Sequence, residues 1–244
     1  MNNPYRILGI GLCLAGAIFA PVSHFLVNSV PLTAIGISAI MIGFTCVALA
    51  NARPYISPEA CQLMLKTGME NTASLLEELG LTNKAIYLPS AMRDGHPQAI
   101  VPLIDNGAIH FTGETLPGRL IVRYGVNADD MAISVTTPGS INIDMLETMP
   151  GPESEEIETA INYILTGVLD IADSVSVTMV DGRLEVDVKN PRLLFEDIWY
   201  HRCMGSPVAS IAAAISTEAL GKPIRVMEES STGGRTRISL EVLS

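Results

Sequence analysis

The densest chemistry in the chain lies in EDIWYHRCMGSP, residues 196–207, which carries the only tryptophan together with His201, Cys203 and Ser206. On a strand, residues two apart share a face, so the His201 imidazole and the Cys203 thiol would point the same way. Such a pair can ligate a soft metal or work as base and nucleophile. The plainer reading is a buried aromatic plug with a structural thiol. Gly205-Ser206-Pro207 opens a helix, and Ser206 is a natural cap for it. The same free N–H groups can hold an anion. A small-molecule site at His201, Cys203 and Ser206 is the expectation drawn from this cluster.

Nothing around it extends the chemistry. Zinc takes three or four ligands, and no second Cys-x-x-Cys or His-x-x-His accompanies the pair; His96 and His110 belong to distant segments. STGGR, residues 231–235, is glycine-rich but lacks the third glycine and the strand-to-helix setting of a dinucleotide fingerprint. TTPGS, residues 136–140, reads as a turn that caps a helix. Asp129-Asp130 and Glu228-Glu229 are adjacent, so on strands their carboxylates diverge. HExxH and GxSxG are absent from the sequence. No catalytic residue, cofactor or metal is assigned, and the expected class is non-enzymatic.

The elements that must position this cluster fall into two parts. Residues 1–56 contain no Asp or Glu, and only Arg6 and Arg53 are basic. Within them, residues 7–27 and 31–50 are uncharged and each about 20 residues long, enough to cross a bilayer core of about 30 Å at 1.5 Å per residue. The short link NSVP between them forces antiparallel neighbours, and Pro31 suits the first turn of the second helix. Small residues recur at helical spacing, Gly9, Cys13, Gly16 and Ala20 facing Ala39, Gly43, Cys46 and Ala50. Such faces allow close backbone approach in lipid. Gly9, Gly16, Ala39 and Gly43 are the packing positions expected to matter most. The sequence therefore predicts a transmembrane hairpin over residues 1–53.

From Ser57 onward the pattern changes to punctuated amphipathic segments. Ser57-Pro58-Glu59 starts a helix that Gly80 ends. KAIYLPS and QAIVPLI read as one strand pair, GRLIVRYG and MAISVTT as another. A second helix is expected over residues 154–172. SVSVTMV and RLEVDV flank Asp181-Gly182, a two-residue hairpin signal. Residues 206–220 form a third helix, ended by Gly221, and PIRVMEE and TRISLEV make the last hairpin. Hairpin connections favour antiparallel sheet with helices on one face, an α+β body. Two halves, 57–150 and 151–244, are expected.

Composition limits the partners. With Arg6 and Arg53 set aside from the 15 basic residues, 13 face all 26 acidic ones, a formal charge of −13 on the body. That balance argues against nucleic acid, whose phosphates require clustered Lys and Arg. Four cysteines in 244 residues do not form a disulfide scaffold. Arg6 precedes the first span, Arg53 and Lys66 follow the second, and the turn has no basic residue. The positive-inside rule then places both termini and the body in the cytoplasm.

The stretch CMGSPVASIAAAISTEALGKPIRVMEE, with ISVTTPGSINIDMLE, resembles uncharacterised archaeal membrane proteins with two N-terminal spans and a cytoplasmic body. That resemblance implies the same layout and no known activity. The Cys-x-Gly-Ser-Pro entry to the helix and its Glu-Ala-Leu-Gly-Lys-Pro exit are faintly similar to small-molecule-binding domains of the vinyl-reductase type; the metal ligands of that family have no counterparts here. The expected function is a membrane-anchored module that self-assembles or scaffolds a membrane protein complex. Its partners are the bilayer and further copies of the chain. A membrane-tethered small-molecule sensor is the alternative.

Overall fold

The computed structural model describes residues 4–52, 58–93, 97–104, 111, 115–180, 182–193 and 198–243, with only the backbone described for residues 4, 51–52 and 58–62. The chain divides into two compact units, Met1–Leu65 and Lys66–Ser244.

The first unit holds an antiparallel pair of helices, α1 (Pro4–Phe25) and α2 (Val30–Ala52). At 1.5 Å per residue they are about 33 Å and 34 Å long. Asn28 adopts φ 51° in the turn, the left-handed conformation that closes a helix C-terminus. The Thr33 N–H donates to the Ser29 carbonyl at 3.1 Å and starts the new helix. Helix α1 begins three residues before the expected first span and ends two short of it, at Phe25, whereas α2 runs one residue before and two beyond the expected second span.

The second unit is α+β. Its helix α3 (Pro58–Glu78), which begins in the first unit, is followed by β1 (Ile86–Leu88), β2 (Gln98–Pro102), β3 (Ile121–Arg123) and β4 (Met131–Val135). Then come α4 (Pro138–Asn142), α5 (Ser154–Asn162), the hairpin β5 (Ser174–Val180) and β6 (Arg183–Lys189), α6 (Trp199–Met204), α7 (Pro207–Leu220), and the hairpin β7 (Ile224–Thr232) and β8 (Arg235–Val242). All eight strands join one antiparallel sheet in the order β3-β4-β2-β1-β7-β8-β6-β5. The sheet runs across residue 150 through the pairing of Tyr87 with Ile224.

Strand alternation decides what each face buries. Tyr87, Val101, Ile133, Val186, Ile238 and Leu240 turn one way and share the main core with α5 and α7. On α5 and the helical turn that continues it over Tyr163–Val168, the spacing Ile157, Ile161, Ile164, Leu165 supplies the apolar stripe. Helix α7 is buried from Val208 to Thr217, which its run of Ala, Ser and Ile permits because nothing large protrudes. On the opposite face, Ile86, Leu88, Ile100, Val122 and Ala132 pack with Leu116 and Tyr124 in a second, smaller core. The β5–β8 half of that face is polar instead.

Three local features depart from the sequence reading. The helix after Ser154 changes to a π-helical turn over Tyr163–Val168 and stops at Asp170, φ 50°, short of residue 172. Trp199–Met204 is a helix, α6, rather than a strand. The last hairpin turns on Gly233-Gly234 alone, both at positive φ, so β7 runs through Thr232. That is the backbone a two-residue primed turn demands, and glycine supplies it without strain. The Asp181 half of the other expected turn lies outside the described residues; Gly182 has φ 76°.

Candidate functional site

The hairpin of the first unit is built on contacts only glycine allows. A Cβ added to Gly9 would sit 2.8 Å from the Gly43 carbonyl oxygen, and one on Gly16 2.6 Å from the Gly36 carbonyl oxygen. One on Gly36 would meet the Ala20 backbone at 2.8 Å. Gly9, Gly16, Gly36 and Gly43 are all buried, at i, i+7 spacing on each helix, and Ala39 is half-buried beside them. Gly36 was not among the expected positions, although its seven-residue spacing from Gly43 is legible in the sequence. Outside this seam the surface is apolar and bare: Phe25, Leu26, Val30, Phe44 and Met41 are exposed. Only 22 % of the most apolar stretch of α1 and 11 % of that of α2 is buried in the protein, against 78 % for the comparably long apolar stretch Trp199–Leu220. Two N-terminal helices are thus long and apolar enough to cross a membrane, and the third stretch is a core element.

His201, Cys203 and Ser206 are brought together by α6 and the cap of α7, and each makes a hydrogen bond within the fold. On a helix, residues two apart diverge, so the imidazole and the thiol do not share a face. His201 Nδ1 lies 3.2 Å from the Gly205 carbonyl oxygen. The Cys203 thiol is buried, donates to the Leu81 carbonyl at 3.4 Å, and is pushed up in pKa by that burial. Ser206 Oγ accepts from the Ala209 N–H at 3.1 Å, the N-cap bond of α7, while its own N–H donates to Glu229 at 2.9 Å. The Trp199 indole donates to the Leu81 carbonyl at 2.7 Å, and Tyr87 Oη donates to the Met204 carbonyl at 2.8 Å. These bonds fasten α6 to Leu81 and to β1. None of the depressions described below is lined by the three residues.

The TTPGS turn is likewise a cap. Thr137 and Ser140 form a reciprocal capping box on α4, and Ser210 Oγ accepts from the Gly139 N–H at 3.0 Å. Glu229, half of an adjacent acidic pair, serves the Ser206 N–H. Among the described residues no group of three His, Cys, Asp or Glu side chains is placed to hold a metal. His96, His110 and the Cys61 side chain lie outside the described residues.

Among the described residues, three depressions of the second unit stand out. One of about 560 Å³ is lined by acidic Glu147, Glu153, Glu155 and Glu156 around Tyr163. Another, about 600 Å³, is the polar sheet face carrying Arg183, Glu185, Asp187, Glu228 and Arg237; there Ser239 donates to Glu185 at 2.8 Å and Arg237 to Asp187 at 3.4 Å. The third, about 400 Å³, lies at the end of β4 and contains a feature the sequence reading missed: Arg93, 4 % exposed, beside Ser134, Gln98 and Arg119. No local sequence signal distinguishes Arg93 from a surface arginine.

The architecture defines a class: an apolar helical hairpin followed by an α+β body on a single antiparallel sheet. Residues 2–242 match the family described as Domain of unknown function (DUF7982), and the chain belongs to that family. No curated protein and no solved structure matches it.

Proposed function

We propose that this protein is a membrane-anchored module without enzymatic activity, which assembles with copies of itself at the cytoplasmic face. The observation that carries the anchoring is the bare apolar surface of α1 and α2. Leu, Ile and Phe side chains that find no protein core are stable in hydrocarbon, where the closed helical backbone leaves no polar group unpaired. Arg6, Arg53 and Lys66 flank the spans and the Asn28-Ser29 turn has no basic residue, so the positive-inside rule puts both termini in the cytoplasm.

Self-assembly draws its support from β5. It lies at the sheet edge, and among the described residues no strand pairs with its outer side. Met179 and Val180 are exposed there. An open seven-residue edge is a template for pairing with another chain. Three measurements test the proposal. The full-length chain should pellet with membranes and leave the pellet only with surfactant. Protease should cut the body in inverted vesicles and spare it in intact cells. Mass photometry of the detergent-extracted protein should give a mass above the monomer, and a plain monomer would overturn the assembly.

A second reading, a membrane-tethered ligand sensor, is favoured by one observation, the buried guanidinium of Arg93 in its depression.

A further inference from the structure

We propose that the depression at the end of β4 binds a phosphate group through Arg93, with Arg119 at its mouth. The argument begins with the cost of the buried cation. Arg93 follows the short turn Ser90–Met92 after β1 and is 4 % exposed. A guanidinium offers five N–H donors and never loses its charge at ordinary pH. Here the hydrogen bond described for its side chain runs from Nη1 to Ser134 Oγ, which itself donates to Gln98 Oε1 at 2.7 Å. Its Nε is buried with no hydrogen-bond partner. Among the described residues no carboxylate forms an ion pair with it. Burial lowers its pKa.

A buried charge without a counter-ion is among the costliest arrangements in a protein. It is the more unusual in a body carrying a formal −13, where carboxylates are abundant. The cavity at Arg93 supplies the room for a missing partner: about 400 Å³, within the range of small-molecule sites. Arg119 is exposed on its rim, Thr72 and Thr136 add hydroxyls, and Leu120 and Ile133 give apolar wall. Two guanidinium groups match the charge of a dianion, and arginine pairs with phosphate through two parallel N–H bonds. The shared chemistry is a phosphate, carried by a soluble small molecule or by a lipid headgroup.

This deepens the sensor reading but is measured without it. Full-length protein in nanodiscs of neutral phosphatidylcholine is titrated with sodium phosphate at constant ionic strength, with unfolding followed by Trp199 fluorescence. A parallel set of nanodiscs contains phosphatidic acid. A saturable rise in midpoint temperature with inorganic phosphate supports the site and points to a soluble ligand. A rise confined to the phosphatidic acid discs supports it and points to a headgroup. Arg93→Met should weaken the response about 30-fold or more, the effect of removing one partner of a desolvated charge pair. Arg119→Gln, on the surface and harmless to folding, should weaken it about two- to fivefold. No saturable rise in either disc overturns the proposal, as does an undiminished response in Arg93→Met. Should Arg93→Met not fold, an unchanged phosphate midpoint in Arg119→Gln overturns it instead. Binding with no change in oligomer size or partner capture would support the site and remove the sensor reading.

Discussion

Replacing Gly43 by cysteine should lock the hairpin shut, because the seam already places a thiol where the new side chain would point. A Cβ at residue 43 lies 2.5 Å from Cys13 Sγ and 2.8 Å from the Gly9 carbonyl oxygen. In a relaxed disulfide the Cβ of one cysteine stands about 3 Å from the sulfur of the other, so the helices need part by only about 0.5 Å. The bridge closes a loop of about 30 residues, which in the chain-entropy account is equivalent to about 3.5 kcal/mol. The assay uses the full chain with Cys46 and Cys61 replaced by serine, oxidised by copper phenanthroline in native membranes. Intramolecular crosslinking should be nearly complete, read as the loss of two hydrogens by mass spectrometry and of both maleimide-reactive thiols in the hairpin. Gly11→Cys is the control, since nothing lies within 4 Å of a Cβ there. It should leave Cys13 titratable. Equal intramolecular crosslinking from positions 11 and 43, or dimers in place of an internal bridge, would refute the helix register.

Gly139→Ala should destabilise the body by about 1–3 kcal/mol, because its Cβ would run into the Ser210 backbone of α7, which cannot rotate away; the drop in midpoint temperature by Trp199 fluorescence checks it. Ser206→Ala should cost about 1 kcal/mol through the lost cap of α7, and Ser206→Gly only a few tenths, so a larger loss for glycine in the same thermal melts would mean that Ser206 does more than cap. Burial raises the pKa of Tyr87, of Tyr200 (to about 12) and of Cys203. Each folded group therefore keeps its proton at pH values where the unfolded chain has lost it, so stability should be level near neutrality and fall as pH rises above about 9 to 10; a midpoint that holds steady to pH 11 would contradict this. Met179→Lys with Val180→Lys should charge the open edge of β5 and, on the assembly proposed above, leave monomers without changing the melting temperature by more than that of a surface substitution; an unchanged particle mass above the monomer would refute assembly through β5.

The two sides of the sequence reading differ in range. What composition and punctuation decide locally was legible. The 46 uncharged residues between Arg6 and Arg53, with their small-residue spacing, announce an apolar helical pair, and Pro58, Gly80, Ser206 and Gly221 mark helix ends through backbone preferences that need no partner. The alternation of Leu184, Val186 and Val188 gave strand and buried face together. The backbone of the 196–207 cluster was not legible, because local pattern there was silent. Trp199–Met204 suits strand or helix equally, and its bonds to the Leu81 carbonyl, made across 118 positions or more, fixed it as a helix whose histidine and cysteine diverge.

The sequence by itself determined which part is apolar throughout and which is amphipathic, and the antiparallel, hairpin-rich class of the body, since both follow from residues within a turn or two of each other. Tertiary structure alone decided that β1 lies beside β7, that the apolar Trp199–Leu220 stretch is buried in protein while α1 and α2 are not, and that Arg93 is enclosed. Those outcomes depend on which distant segments meet, and hydropathy along a chain carries no information about its eventual neighbours.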